Sequence, residues 1–109
     1  MLAIVVGVAA TALLASLAAA PRSRPRARTH TVTIENMAFV PRTLEVATGD
    51  TIVWTNKDLV PHTATSKSGG FDSQTLRTEA SWSYTATRTG TFEYLCTFHP
   101  TMAGTVRVR

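Results

Sequence analysis

The chain has 109 residues, 11 of them Lys or Arg against 7 Asp or Glu, and one cysteine. That length holds one domain with a modest core. The basic surplus sits in Arg22, Arg24, Arg26 and Arg28, and from Thr29 onward acids and bases balance. This excludes a basic nucleic-acid face on the body, as the lone cysteine excludes an internal disulfide.

Residues 1–20 are uncharged and rich in Ala, Leu and Val, ending in Leu17-Ala18-Ala19-Ala20. They read as a signal peptide cut after Ala20 or, uncut, as a membrane anchor, and place the domain outside the cytoplasm, in the periplasm or an equivalent space. The arginines follow the apolar run instead of preceding it, so the true start of the leader is expected upstream. Residues 21–29 form a Pro/Arg-rich linker, read as a solvated spacer, with contact to anionic lipid or an acidic partner as the alternative.

The body, residues 30–109, is written in short β segments. His30 to Ile34 alternates and is β-branched, a first strand. Asn36 to Pro41 reads as a crossing into a second strand, Thr43 to Val46. Gly49-Asp50 turns the chain into Thr51 to Asn56, and His62 to Thr65 is short and extended. Phe71 to Leu76, Ser81 to Thr87, Thr91 to Cys96 and Gly104 to Arg109 supply the remaining strands. Seven to eight strands with no helical period predict an all-β fold, an antiparallel sandwich. Its core is expected from Ile34, Leu44, Val46, Val53 or Trp54, Phe92, Tyr94, Val106 and Val108, with Met37 a structural residue. Period two puts Cys96 on the face of Phe92 and Tyr94, hence inside.

Cys96, His99 and Met102 then bring a thiolate, an imidazole and a thioether into one short stretch at i, i+3 and i+6. Soft sulfur ligands beside imidazole suit copper, and methionine argues against zinc. A trigonal His2Cys site with an axial Met is a blue-copper arrangement, which calls for a second histidine. His62, just after the central strand, is the candidate and His30 its competitor.

These motifs, with Asn36 to Pro41, Gly49 to Trp54, Pro61-His62-Thr63 and Gly90 to Cys96, resemble the cupredoxins, over nearly the whole body. Within them the likeness is to the amicyanin, plastocyanin and pseudoazurin branch. Two residues in each gap of Cys96-x-x-His99-x-x-Met102 single out the amicyanin type. The resemblance implies an eight-stranded Greek-key sandwich with one type 1 copper on His62, Cys96, His99 and Met102. It also implies that His99 protonates and leaves Cu(I) at low pH. Thr63 stands where amicyanins have Asn, and is expected to hydrogen-bond across to Thr97.

The function expected is single-electron transfer between redox proteins, not catalysis. A donor and an acceptor would dock transiently near His99, inside an apolar collar of Phe98, Pro100 and Pro61. The chain is expected to be a monomer that meets a membrane only through an uncleaved N-terminal segment. Three rival readings are weighed: a Cys96–His99 nucleophilic enzyme, disfavoured by the buried thiol, a copper storage or delivery protein of the same fold, and a sandwich kept only as a binding module, disfavoured by the presence of all four ligand residues.

Overall fold

The computed structural model describes residues 1–16 and 26–109. The expected cut after Ala20, and Arg22 and Arg24, lie outside the described residues. Residues 1–16 have no regular secondary structure, and among the described residues no helix is long and apolar enough to cross a membrane.

The described body is built from β1 (Thr29–Glu35), β2 (Ala38–Val40), β3 (Thr43–Val46), β4 (Thr51–Asn56), β5 (Thr65–Ser66), β6 (Ser81–Thr85), β7 (Gly90–Cys96) and β8 (His99–Val108). One sheet has the order β2-β1-β4-β6 and the other β3-β8-β7-β5. The expected all-β sandwich is present, but its sheets are mixed: β1 runs parallel to β4 and β3 parallel to β8. The reason lies at Pro41 and Arg42. There β2 leaves the first sheet and continues as β3 in the second without reversing, so β4 re-enters the first sheet in the direction of β1.

Three segments differ from expectation. Residues 38–40 are a strand, not part of a crossing, because Asn36 and Met37 take positive φ (53° and 61°) and close a tight hairpin with β1. Phe71 to Leu76 makes only isolated bridges, His62 to Leu76 and Thr65 to Asp72. Gln74 turns left-handed there (φ 59°), its N–H donating to Asp72 Oδ1 at 2.9 Å. The last strand begins at His99 instead of Gly104.

Alternation is strict on β4, where Ile52, Trp54 and Asn56 are buried and Val53 is not. Trp54, with Tyr94, Ile34 and Val32, fills the space between the sheets. Each aliphatic side chain fully buried there contributes about 1.5–3 kcal/mol. Tyr94 packs edge-on against Phe39 and Trp54, with ring centroids 4.6 and 5.5 Å away. Burial pushes its hydroxyl up to about 12. Leu44 and Phe92 reach the core only partly buried. Phe39, Phe71 and Leu76 are core residues that strand periodicity missed.

Candidate metal centre

β7 and β8 form a hairpin in which Tyr94 faces Gly104 and Leu95 faces Ala103, but Cys96 faces His99. Between Ala103 and His99 the register shifts, so Pro100, Thr101 and Met102 have no partners on β7. Proline suits that place because it has no N–H to give the ladder. Thus Cys96, His99 and Met102 are carried by the closed end of a β-hairpin, on either side of the Thr97-Phe98 turn, and not by a free loop. Cys96 is wholly buried beside Tyr94, as strand period predicts; Met102 is also buried.

His62 comes from the loop between β4 and β5 and is fully buried. Its backbone is fixed by reciprocal bonds with Leu76: His62 N–H to Leu76 O at 3.1 Å and Leu76 N–H to His62 O at 2.8 Å. Asn56 shapes the loop before it. The Asn56 amide donates to Val60 O and Leu76 O, both at 2.9 Å, and its Oδ1 accepts the Asp58 N–H at 2.9 Å.

The nitrogens and sulfur converge. Cys96 Sγ lies 3.7 Å from His62 Nδ1 and 3.6 Å from His99 Nδ1. The three donor atoms lie within 4.8 Å of one another. The competitor His30 is elsewhere, its Nε2 2.9 Å from Asp50 Oδ2 near the start of β4.

Around the sulfur, Thr63 N–H donates to Cys96 Sγ at 3.4 Å. Thr63 Oγ1 accepts the Thr97 N–H at 2.9 Å and lies 3.2 Å from Thr97 Oγ1. The expected threonine link is therefore present, and it ties the His62 loop to the hairpin turn. One residue that sequence reasoning passed over completes the arrangement. Asp58 Oδ2 is 2.8 Å from His62 Nε2, while its two oxygens accept the Asn36 and Met37 amides at 2.8 and 3.0 Å. Partial burial raises the Asp58 carboxyl, yet the amides of Met37 and Asn36 and the His62 ring outweigh it and hold the group below its ordinary value. The i, i+4 spacing of Asp58 and His62 was the one available signal.

The surface over the centre is apolar. His99 is partly exposed, Phe98 beside it and Leu59 and Val60 in the loop before His62 are exposed hydrophobics, and exposed Met37 lines a depression together with Met102. Met37, read as structural, belongs to this outer surface. A buried thiol, one buried and one partly exposed imidazole, and a buried thioether on the same hairpin, with no carboxylate oxygen in the donor cluster, fit a soft one-electron metal such as copper better than Zn²⁺ or Ca²⁺.

Comparison with known proteins agrees with this donor set. A family model described as the cupredoxin-like domain matches residues 4–108. Amicyanin of Paracoccus denitrificans is 34% identical over 110 residues, covering 91% of this chain and 84% of the relative. Amicyanin-alpha of Methylorubrum extorquens is 33% identical over 105 residues, covering 92% and 87%. Among solved structures, the Cu(I) form of a methionine-to-alanine variant of amicyanin superposes with a TM-score of 0.70. It is 32% identical and covers 74% of this chain and 82% of its own.

Proposed function

This chain belongs to the cupredoxin-like family, and on that premise we propose that it carries single electrons between redox proteins, with one copper ion held by His62, Cys96, His99 and Met102. The observation that carries the reading is the approach of two imidazole Nδ1 atoms to within 3.7 Å of one buried cysteine sulfur, on a hairpin that also bears a buried methionine. Bound there, copper supplies a one-electron couple between Cu(I) and Cu(II).

The protein's part is to keep the ligands still. Cys96 and His99 are held by the hairpin, His62 by Leu76 and Asp58, and the two units are joined through Thr63 and Thr97. Ligands fixed from several elements move little when charge changes, which keeps the barrier to electron exchange low. The Thr63 N–H at the sulfur stabilises thiolate charge. Burial of Cys96 excludes water and makes it a poor nucleophile for a substrate, so the chain acts as a carrier and not as an enzyme.

His99 is the one nitrogen ligand with an exposed edge, and the collar of Phe98, Pro100, Pro61 and Val60 around it suits brief docking of a donor and an acceptor. The carrier works outside the cytoplasm, a reading supported by the apolar segment of residues 1–20. Storage or delivery of copper is less well supported, because among the described residues there is one compact cluster of His, Cys or acidic ligands.

Adding Cu(II) to purified protein tests the proposal. An intense blue colour at one equivalent, bleached by reductant and absent in Cys96→Ser, is expected. A colourless Cu(II) complex overturns it.

A further inference from the structure

The end of the sandwich remote from the ligands is basic. β8 runs from His99, in the candidate centre, to Val108, and ten extended residues span about 30 Å. At the far end, the turn between β3 and β4 gathers several chain segments. Arg28 O accepts the Thr51 N–H, Arg109 O accepts the Thr48 N–H, and Ala86, two residues before Arg88, exchanges bonds with Gly49 and Asp50. A cleft of about 770 Å³ opens there, lined by Arg26, Arg28, His30, Thr48, Asp50 and Arg109.

Arg26, Arg28, Arg88 and Arg109 are all exposed, and among the described residues none forms a salt bridge. Of the carboxylates nearby, Glu45 on β3 lies 3.7 Å from Arg107 and Asp50 lines the cleft. Asp50 is already used: its oxygens accept the Arg28 and Ala47 amides and lie against His30. The guanidinium groups are left free to bind an outside anion.

The chain itself says which kind of anion. The apolar run that ends at Ala20 leads into this pole, and the six residues to Arg26 reach at most about 20 Å. Wherever that run meets a bilayer, the arginines lie within reach of its headgroups. A single apolar segment and a basic patch are the paired signals that make membrane attachment stable.

We propose that this basic pole binds the phosphates of anionic lipid headgroups, holding the domain with its ligand end turned away from the membrane. Guanidinium groups pair with phosphate oxygens two bonds at a time, and their spread across an open cleft suits several headgroups more than one small ion.

Co-sedimentation of the full chain with vesicles tests this, because binding to phosphatidylcholine alone reads the apolar run. Adding phosphatidylglycerol should tighten binding by more than about 25-fold, and 0.5 M salt should remove the gain. Each arginine near an anionic surface adds about fivefold to partition. Arg28→Gln with Arg109→Gln should therefore weaken the phosphatidylglycerol-dependent part about 25-fold. The matching lysine variants should keep most of it, and Arg42→Gln with Arg77→Gln, at the ligand end, should change nothing. Circular dichroism checks that each variant is folded. Equal binding to both vesicles overturns the proposal. So does release by 10 mM inorganic phosphate at constant ionic strength, which would mark a site for a soluble anion.

Discussion

Asp58 Oδ2 lies 2.8 Å from His62 Nε2, and the same carboxylate accepts the amides of the turn between β1 and β2. With the Nε2 proton held by a carboxylate, the Nδ1 lone pair is left facing Cys96 Sγ. Asp58 thus selects the tautomer that a metal needs and fixes the plane of the ring.

Asp58→Ala should therefore weaken copper binding about 10- to 100-fold, the usual effect of removing such an outer partner. The fold should survive, because water can satisfy the exposed Asn36 and Met37 amides. Competition with a chelator, followed by the blue absorption, measures the affinity. An unchanged affinity would mean that packing alone orients His62.

Gly104 faces Tyr94 across the hairpin. A Cβ at Gly104 would fall onto the tyrosine ring, with Cζ nearest, Oη at 2.5 Å and Cε1 at 2.8 Å. Gly104→Ala should destabilise the fold by about 1–3 kcal/mol through overpacking. Tyr94→Phe should not rescue it, since the ring carbons stay in place. Urea unfolding midpoints of the three variants decide the matter, and a neutral Gly104→Ala would contradict the register of β7 on β8.

The opposite end supplies a pH test. The Arg28 amide, the Ala47 amide and the His30 ring hold the Asp50 carboxyl well below its ordinary value. A depressed carboxyl adds stability that is complete above the unfolded value, about 3.9, and is lost as pH falls toward the folded one. Asp50→Asn should melt lower than the parent at pH 7, and the gap should narrow as the pH drops below about 4. A gap that stays constant down to pH 2 would assign the effect to shape instead of charge.

The candidate ligands were legible in the sequence because Cys96, His99 and Met102 fall within seven residues. The sequence also placed Cys96 inside, since the period of β7 ties it to Tyr94. It did not settle whether Val53 or Trp54 faces the core, because alternation leaves the phase open until a neighbouring strand fixes it. Nor did it reveal Asp58, whose turn contacts lie 21 and 22 residues away in the chain. The parallel pairs were hidden for a similar reason: they follow from a change of sheet at Pro41, which no local pattern announces. β8 starts early because His99 pairs with Cys96 beyond the unpaired residues 100–102, a pairing that the residues before Met102 do not signal by alternation.

The two threonines that join the halves of the centre are not equivalent. Thr63 Oγ1 accepts both the Thr97 N–H, at 2.9 Å, and the Thr65 hydroxyl, at 3.0 Å, whereas Thr97 Oγ1 contributes the single 3.2 Å contact back to Thr63. Thr63→Val keeps the shape but removes the acceptor, leaving the turn amide beside Cys96 without its partner at a cost of about 1–3 kcal/mol. Thr97→Val removes only the hydroxyl pair, worth about 0.5–1.5 kcal/mol, and leaves the amide bond intact. Thr63→Val should thus be the more damaging change in both thermal melting and copper affinity. It should also alter the blue absorption, because the Thr63 N–H that reaches Cys96 Sγ at 3.4 Å is positioned by the same link. Equal effects from the two variants would show that the hydroxyl pair, and not the Thr97 amide, holds the hairpin turn against the His62 loop.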